Sequence, residues 1–174
     1  VTFLRRAKPE ELDAIPLDEV RDSLRDTIAN SGFQIEEEAL ALATDATQGY
    51  AHLIQLVGYH VWRTAWLRGR KGDDAIVVSV DDATRGVAAA RDEFKSAVLE
   101  ATITGLPKTA IDFILAMSET RDVVSTSKIA SMLKRTTGYL SPYRRQLISR
   151  QVIEQTAPGY VTFSIPLMKE YLAE

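Results

Sequence analysis

The hydrophobic period of this chain changes near its C terminus, and this change limits the folds available to it. Residues 107–150 place apolar side chains at helical spacing in three short segments. Residues 161–165 instead alternate apolar and hydroxyl side chains, which is the period of a half-buried strand. Before them, Pro158-Gly159 fits the middle of a type II turn. The pattern therefore predicts three helices followed by a β-hairpin whose first strand begins at Val152.

Local signals indicate where these helices begin. The first helix is predicted over residues 109–118, and the second follows a hydroxyl cluster at residues 125–127 that suits an N-cap. Residues 136–138 are predicted as a turn. The third helix is predicted to open with Ser141 as its N-cap and Pro142 at its first helical position. The expected core residues of the three helices are Ala110, Ile111, Ile114, Leu115, Ile129, Ala130, Leu133, Leu147 and Ile148.

Three helices followed by a hairpin are the plan of a winged helix, whose second and third helices form a helix-turn-helix. The first turns of the third helix meet the major groove of DNA, where arginine bonds guanine edges or clamps phosphate. Cations on the preceding helix would add contacts to the DNA backbone. The residues predicted to bind double-stranded DNA are Lys128, Lys134, Arg135, Ser141, Tyr143, Arg144, Arg145 and Arg150.

The charge distribution is consistent with two units that have different partners. The chain has a net charge of −3, but residues 1–106 carry −6 and residues 107–174 carry +3. This excess is modest beside the basic footprint of a strong DNA binder. Arg144 and Arg145 could instead form the solvated face of a surface helix. Helix-turn-helix units are also common in protein-binding modules, so this geometry alone does not establish DNA contact.

The first part of the chain is predicted to be helical. Residues 1–4 read as a strand, and three helices follow between Leu17 and Gly69. A polar loop at residues 69–74 leads towards a long connector helix over residues 82–101. The apolar stripes of these four helices consist of Leu17, Val20, Leu24, Ile28, Leu40, Ala43, Ala46, Leu53, Ile54, Val57, Val61, Ala65, Trp66, Ala83, Val87, Ala90, Phe94, Ala97 and Ala101.

One segment resembles a known family. Residues 46–58, ATQGYAHLIQLVG, are similar to the lid domain of AAA+ and STAND-type P-loop ATPases, in which a small-residue turn opens a helix. Residues 1–7 resemble the last core strand of such an ATPase, and residues 17–32 resemble its first lid helix. With the winged helix, the chain resembles the lid plus winged-helix portion of a prokaryotic ATPase from the branch that includes origin-recognition-like proteins.

The resemblance implies a role for the turn at residues 49–52. Gly49, Tyr50 and His52 would sense nucleotide in the longer protein, for which ATP and Mg²⁺ are the expected cofactors. The chain has Gly49-Tyr50-Ala51 where many family members have Gly-x-Pro, and His52 stands where AAA+ lids often carry a sensor arginine.

The chain lacks the sequence motifs that would predict an enzyme active site. It has no phosphate-binding loop, no paired acids for Mg²⁺ and no cysteine. We therefore expect no catalytic residue, no metal site and no cofactor in this chain itself. Because the chain begins with Val1, we expect it to be a piece of a longer protein, and the resemblance implies that this longer protein is an ATPase. No apolar run suits a membrane span, so we expect a cytoplasmic protein that does not bind membranes.

These observations predict four parts in a mainly α chain. Residues 1–17 end an ATPase core, residues 18–70 form a three-helix lid, residues 71–106 form a connector, and residues 107–174 form a winged helix with a short β-hairpin.

The predicted function is a regulatory region of an ATP-binding protein, whose winged helix binds double-stranded DNA under nucleotide control and which contacts its own ATPase core. In the alternative hypothesis, the winged helix is a protein-interaction or autoinhibitory module of a STAND-type signalling ATPase. A third reading is a freestanding helical transcription regulator.

Overall fold

The computed structural model describes residues 14–69 and 76–173 of the chain. It divides into two compact units, Val1–Arg91 and Asp92–Glu174, here called the N-terminal and C-terminal units. The strand predicted at residues 1–4 and most of the loop predicted at residues 69–74 lie outside the described residues. Within the described part, no helix combines the length and apolar character that a membrane crossing needs.

The N-terminal unit is built from three packed helices and part of a fourth. Their bounds are α1 Leu17–Asn30, α2 Glu37–Thr47, α3 Ala51–Gly69 and α4 Val80–Phe94, with short strands β1 Gln34–Ile35 and β2 Val77–Val78. The parallel pairing of β1 with β2 was not predicted. Two residues per strand are too few to show a period, so only the tertiary structure brings these segments together.

Most of the apolar stripes predicted for this unit form its core. The buried members include Val20, Leu24, Ile28, Leu40, Ala43, Ala46, Leu53, Val57, Val61 and Ala65. Leu17 is the exception on α1, because it stands in the first turn and is 43% exposed. Trp66 is 36% exposed, and its ring lies beside that of Trp62 with the centroids 6.0 Å apart. The stripe on α3 is therefore wider than the surface that its neighbours cover.

A buried carboxylate ties the end of α3 to the start of α4. Asp82 is completely buried, and its Oδ2 accepts hydrogen bonds from Arg68 Nη2 at 2.7 Å and from the Ser79 backbone N–H at 3.0 Å. Arg68 Nη2 also donates to the Val77 carbonyl at 2.7 Å. Ser79 and Asp82 form a capping box, since the Asp82 N–H donates to Ser79 Oγ at 3.3 Å.

The pKa of Asp82 follows from this network. Burial raises the pKa of the carboxyl, but the hydrogen bonds from Arg68 and Ser79 outweigh burial and bring it below its ordinary value. The same pairing raises the pKa of the Arg68 guanidinium. The ionised carboxylate is therefore the form that the folded N-terminal unit requires.

Replacing this carboxylate should destabilise the N-terminal unit. Asp82→Ala leaves the donors of Arg68 and Ser79 without their acceptor, so we expect a loss of about 2–3 kcal/mol in the free energy of unfolding. Denaturant unfolding followed by tryptophan fluorescence measures it, because both tryptophans lie on α3. The matched control is Asp81→Ala, an exposed acid paired with Arg85, which should cost less than about 0.5 kcal/mol. Equal losses of stability in the two variants would contradict the stabilising role given to the buried Asp82 carboxylate.

The contribution of Asp82 should also depend on pH. Because the pKa of Asp82 is lowered on folding, its stabilisation is present above the ordinary value of 3.8 and is lost as the pH falls through and below that value. The stability difference between the wild type and Asp82→Asn should thus be largest near neutral pH and shrink below about pH 4. Unfolding curves of both proteins at several pH values test this. A stability difference that grows on acidification would show that folding does not lower the pKa of Asp82.

The helix predicted over residues 82–101 is interrupted. After α4, Lys95–Glu100 form a π-helical segment, and α5 spans Ala101–Ile103. Ala97 and Ala101, which the regular seam predicted as buried, are exposed, whereas Leu99 is buried. The π-helical turn contains one more residue than an α-helical turn, so the buried position after Phe94 comes five residues later. The predicted seam is therefore correct up to Phe94 and wrong beyond it.

The C-terminal unit has the element order of a winged helix. The elements are α6 Lys108–Ser118, β3 Val124–Ser125, α7 Thr126–Met132, α8 Thr137–Ser149, β4 Ile153–Ala157, β5 Tyr160–Phe163 and α9 Met168–Ala173. The strand order is β3-β5-β4, with both pairs antiparallel. The prediction of a mainly helical chain with a C-terminal hairpin is confirmed, and so is the turn, where Gly159 has a φ of +82°. β3 was missed, because residues 121–124 were predicted as a loop.

The core of this unit differs from the prediction on α6. Phe113, Ile114 and Met117 are completely or almost completely buried, together with Ala110. Leu115, predicted as a core residue, is 38% exposed. The apolar residues of α6 extend around more than half of the helix, so the sequence alone could not decide which of them face the core.

Candidate nucleic-acid interface

The third helix of the winged helix begins earlier than predicted. Thr136 Oγ1 accepts a hydrogen bond from the Tyr139 backbone N–H at 3.2 Å, which makes Thr136 the N-cap of α8. The predicted start at Ser141-Pro142 is therefore wrong, and Pro142 lies inside the helix. Proline removes the bond to the carbonyl of Gly138, but both residues are exposed, so water can satisfy that carbonyl.

The earlier start changes which residues form the leading end of α8. Thr137, Gly138 and Tyr139 occupy the first turn, and all three are exposed. Arg144 and Arg145 lie more than one turn further along the helix instead of in its first turns. The leading end therefore presents a tyrosine and backbone N–H groups, and the arginines follow behind it.

The two arginines face different surroundings. Leu140 and Leu147 are completely buried and mark the side of α8 that packs on the core. At 100° per residue, Arg144 lies on the same side as these leucines, and Arg145 lies on the opposite side with Ser149. Arg144 is accordingly half-buried, and its Nε is inaccessible and has no hydrogen-bond partner, whereas Arg145 is exposed.

Aromatic rings order one cation at the leading end of α8. The Arg135 guanidinium lies over the Tyr139 ring, 5.2 Å from its centroid, and the Tyr139 and Tyr143 rings are 5.9 Å apart. A guanidinium held by cation–π attraction loses less freedom when it binds an anion. Arg135 is thus positioned beside the N-terminus of α8, where the helix dipole also favours negative charge.

A run without acids surrounds these cations. Between Asp122 and Glu154 the chain contains no aspartate or glutamate and six lysines and arginines. Five of them are exposed and form no salt bridge within the residues that the structure describes: Lys128, Lys134, Arg135, Arg145 and Arg150. We call these five residues the cationic face. The absence of acids was readable from the sequence, but the prediction used only the charge of the whole unit.

Two of the cations outside this run are paired. Lys108 binds Asp112 at 2.8 Å, and Lys169 binds Asp122 at 2.8 Å. The Lys169 ammonium holds the pKa of the Asp122 carboxyl below its ordinary value. Positive charge in the C-terminal unit is therefore left uncompensated mainly along α7, the following turn and α8.

The other predicted DNA-binding residues are less accessible. Ser141, Tyr143 and Arg144 are each partly buried on α8. Lys134, by contrast, is exposed, and its φ of +52° belongs to the turn that reverses the chain between α7 and α8.

The residues predicted to sense nucleotide lie at the corner between α2 and α3. Gly49 is buried with a φ of +70°, and its carbonyl accepts a hydrogen bond from the Ile15 N–H at 2.9 Å. A Cβ at this position would lie 2.3 Å from the Ile15 carbonyl oxygen, so the close backbone contact requires glycine. Tyr50 is half-buried and His52 is exposed. Among the described residues, no group of three His, Asp or Glu side chains is arranged to hold a metal ion.

Part of the chain matches a known family model. Residues 96–172 match the model of a domain of unknown function, DUF8462, which covers the winged helix and less than half of the chain. No curated protein matches. A mutant of RuvB from Thermotoga maritima is a similar solved structure, with 14% identity and a TM-score of 0.43. The match covers 94% of this chain and 50% of that chain, so this chain spans about half the length of the RuvB chain.

The start of α8 can be tested by two hydroxyl substitutions. Thr136→Ala removes the N-cap and should lower the stability of α8 by about 1 kcal/mol. Ser141→Ala, which would remove the N-cap of the predicted helix, should change it by less than about 0.5 kcal/mol. Hydrogen exchange of the amides in the middle of α8 measures both effects in the full chain. A larger effect from Ser141→Ala than from Thr136→Ala would instead support Ser141 as the N-cap of α8, as the sequence predicted.

Proposed function

We propose that the C-terminal unit binds double-stranded DNA with α8 in the major groove. The observation that carries the proposal is the cationic face, whose five exposed residues have no salt-bridge partner within the described residues and lie in a segment without acids. Each lysine or arginine that replaces a counterion at a phosphate adds affinity through counterion release. Unpaired cations are suited to this role because no internal ion pair has to break first.

The residues of the cationic face would divide the contacts. In this proposal, Arg145 projects from the outward side of α8 towards the groove, where it bonds a base edge or a phosphate. Arg135, ordered by Tyr139, contacts a phosphate beside the leading end of the helix. Lys128 and Lys134 lie before α8 and would contact the flanking backbone. Arg144 takes no direct part, since its side chain is tied to the core side of the helix.

Salt dependence gives a direct test of this proposal. Anisotropy of a labelled 20-base-pair duplex is measured with the full chain between about 50 and 300 mM salt. If all five residues of the cationic face contact phosphate, the slope of log K against log salt is about −4.5, and each residue that does not contact phosphate makes it shallower by about 0.9. Arg145→Ala should flatten the slope by about one unit if it contacts phosphate, and should relax sequence preference if it contacts a base.

Two controls make the result specific. Lys108→Ala also removes one exposed cation of the C-terminal unit, but this lysine lies on α6 and outside the cationic face, so the slope should not change. Arg144→Ala should leave the slope unchanged as well. Undetectable binding at about 50 mM salt, or equal effects of Arg145→Ala and Lys108→Ala, would contradict the proposal and favour the hypothesis of a protein-interaction or autoinhibitory module.

Nucleotide control is a further part of the proposal. The resemblance of residues 46–58 to lid domains of AAA+ and STAND-type ATPases supports a longer protein whose core binds ATP and Mg²⁺. In this hypothesis, the present chain contributes binding and regulation, not catalysis, and its DNA affinity responds to the nucleotide in the core. The longer protein should then bind the duplex with different affinities in ATP and in ADP, and identical affinities would refute this part alone.

A further inference from the structure

A small cleft of about 220 Å³ lies between α6 and α7. Its lining residues are Asp112, Leu115, Ala116, Glu119, Met132 and Leu133. We call this feature the acidic cleft. Leu115 and Met132 are 38% and 37% exposed although both are large apolar residues. The cleft therefore combines an uncovered apolar surface with two carboxylates.

The carboxylates are available to a cationic partner. Glu119 is exposed and forms no salt bridge within the described part of the chain. Asp112 pairs with Lys108 four residues earlier, and the lysine side chain is 87% exposed. Such an exposed pair contributes little to stability, so an incoming cation could replace it at low cost.

The dimensions of the acidic cleft indicate what kind of ligand fits. Sites for small molecules usually enclose about 300–1,000 Å³, and this cleft is smaller and lies open at the surface. It is more suitable for one or two apolar side chains of a protein segment. Its carboxylates would repel the phosphates of a nucleic acid.

The spacing on α6 also suggests the conformation of the partner. Asp112 and Glu119 are seven residues apart, which is about two turns or roughly 10.5 Å along the helix axis, and Leu115 lies between them. A second helix places residues i and i+7 at the same separation, with residues i+3 and i+4 between them on the same face. Cations at the outer positions and leucines at the inner ones would complement the acidic cleft.

We propose that the acidic cleft binds a cationic amphipathic helix of a partner protein. The apolar side chains of that helix cover Leu115 and Met132, while its lysines or arginines pair with Asp112 and Glu119. The C-terminal unit then has two binding surfaces, the cationic face for DNA and the acidic cleft for protein.

The test uses the full chain and a designed helical peptide. The probe is a fluorescein-labelled, capped 15-residue alanine-rich peptide with lysines at i and i+7 and leucines at i+3 and i+4. Anisotropy gives the affinity, and amide chemical shifts of the ¹⁵N-labelled protein locate the binding surface. Two control peptides replace the lysines by glutamate or the leucines by glutamine.

Substitutions in the protein distinguish binding at the acidic cleft from nonspecific attraction of the cationic peptide to acidic side chains. Glu119→Gln and Leu115→Ser alter exposed residues, so the fold should persist, and each should weaken binding at least fivefold. The matched control is Glu154→Gln, an exposed acid on β4, which should change the affinity less than twofold. Both control peptides should bind at least tenfold more weakly than the probe.

Several outcomes would overturn the proposal. These are a dissociation constant above about 1 mM for the probe, amide shifts that avoid α6 and α7, or equal effects of Glu119→Gln and Glu154→Gln. Duplex DNA is added as a competitor to distinguish the two surfaces. If the chain binds the peptide but not the DNA, the proposed function alone is refuted. If it binds the DNA but not the peptide, only the proposal for the acidic cleft is refuted.

Discussion

The burial of Leu140 and Leu147 is the constraint on which the functional geometry of the C-terminal unit depends. Both side chains are completely buried, and they lie two turns apart on the side of α8 that packs on α6. With that side held in the core, the helical repeat fixes the direction of every other residue of α8. Arg145 is directed outward and Arg144 is retained beside the core, although the two are neighbours in the chain.

The same packing separates charge between two surfaces of one small unit. The segment between Asp122 and Glu154 has no acids, and it forms α7, the turn and α8. The outward side of α6 carries Asp112 and Glu119 around an exposed leucine. The arrangement of these charges, more than the net charge of the unit, determines how partners are attracted and oriented.

Several features were predictable from the sequence because they depend on local chemistry. Helical spacing predicted most of the core of α1 to α3, and Pro158-Gly159 predicted the turn of the hairpin, whose glycine has the required positive φ. The start of α8 was predicted wrongly, since Thr136 and Ser141 are both suitable N-caps and Pro142 favours the later start. In the structure Thr136 is the N-cap, so the helix is longer by more than one turn and the arginines lie away from its N-terminal end.

The sequence by itself determined the order of the elements, the type of most of them and the segment rich in cations. Periodicity, capping residues and turn residues are local properties that a linear chain displays directly. Only the tertiary structure decided which arginine is accessible, that Leu115 is exposed, and that a π-helical turn shifts the buried seam after Phe94. These outcomes depend on which side of a helix its neighbours cover, and residues distant in sequence supply those neighbours.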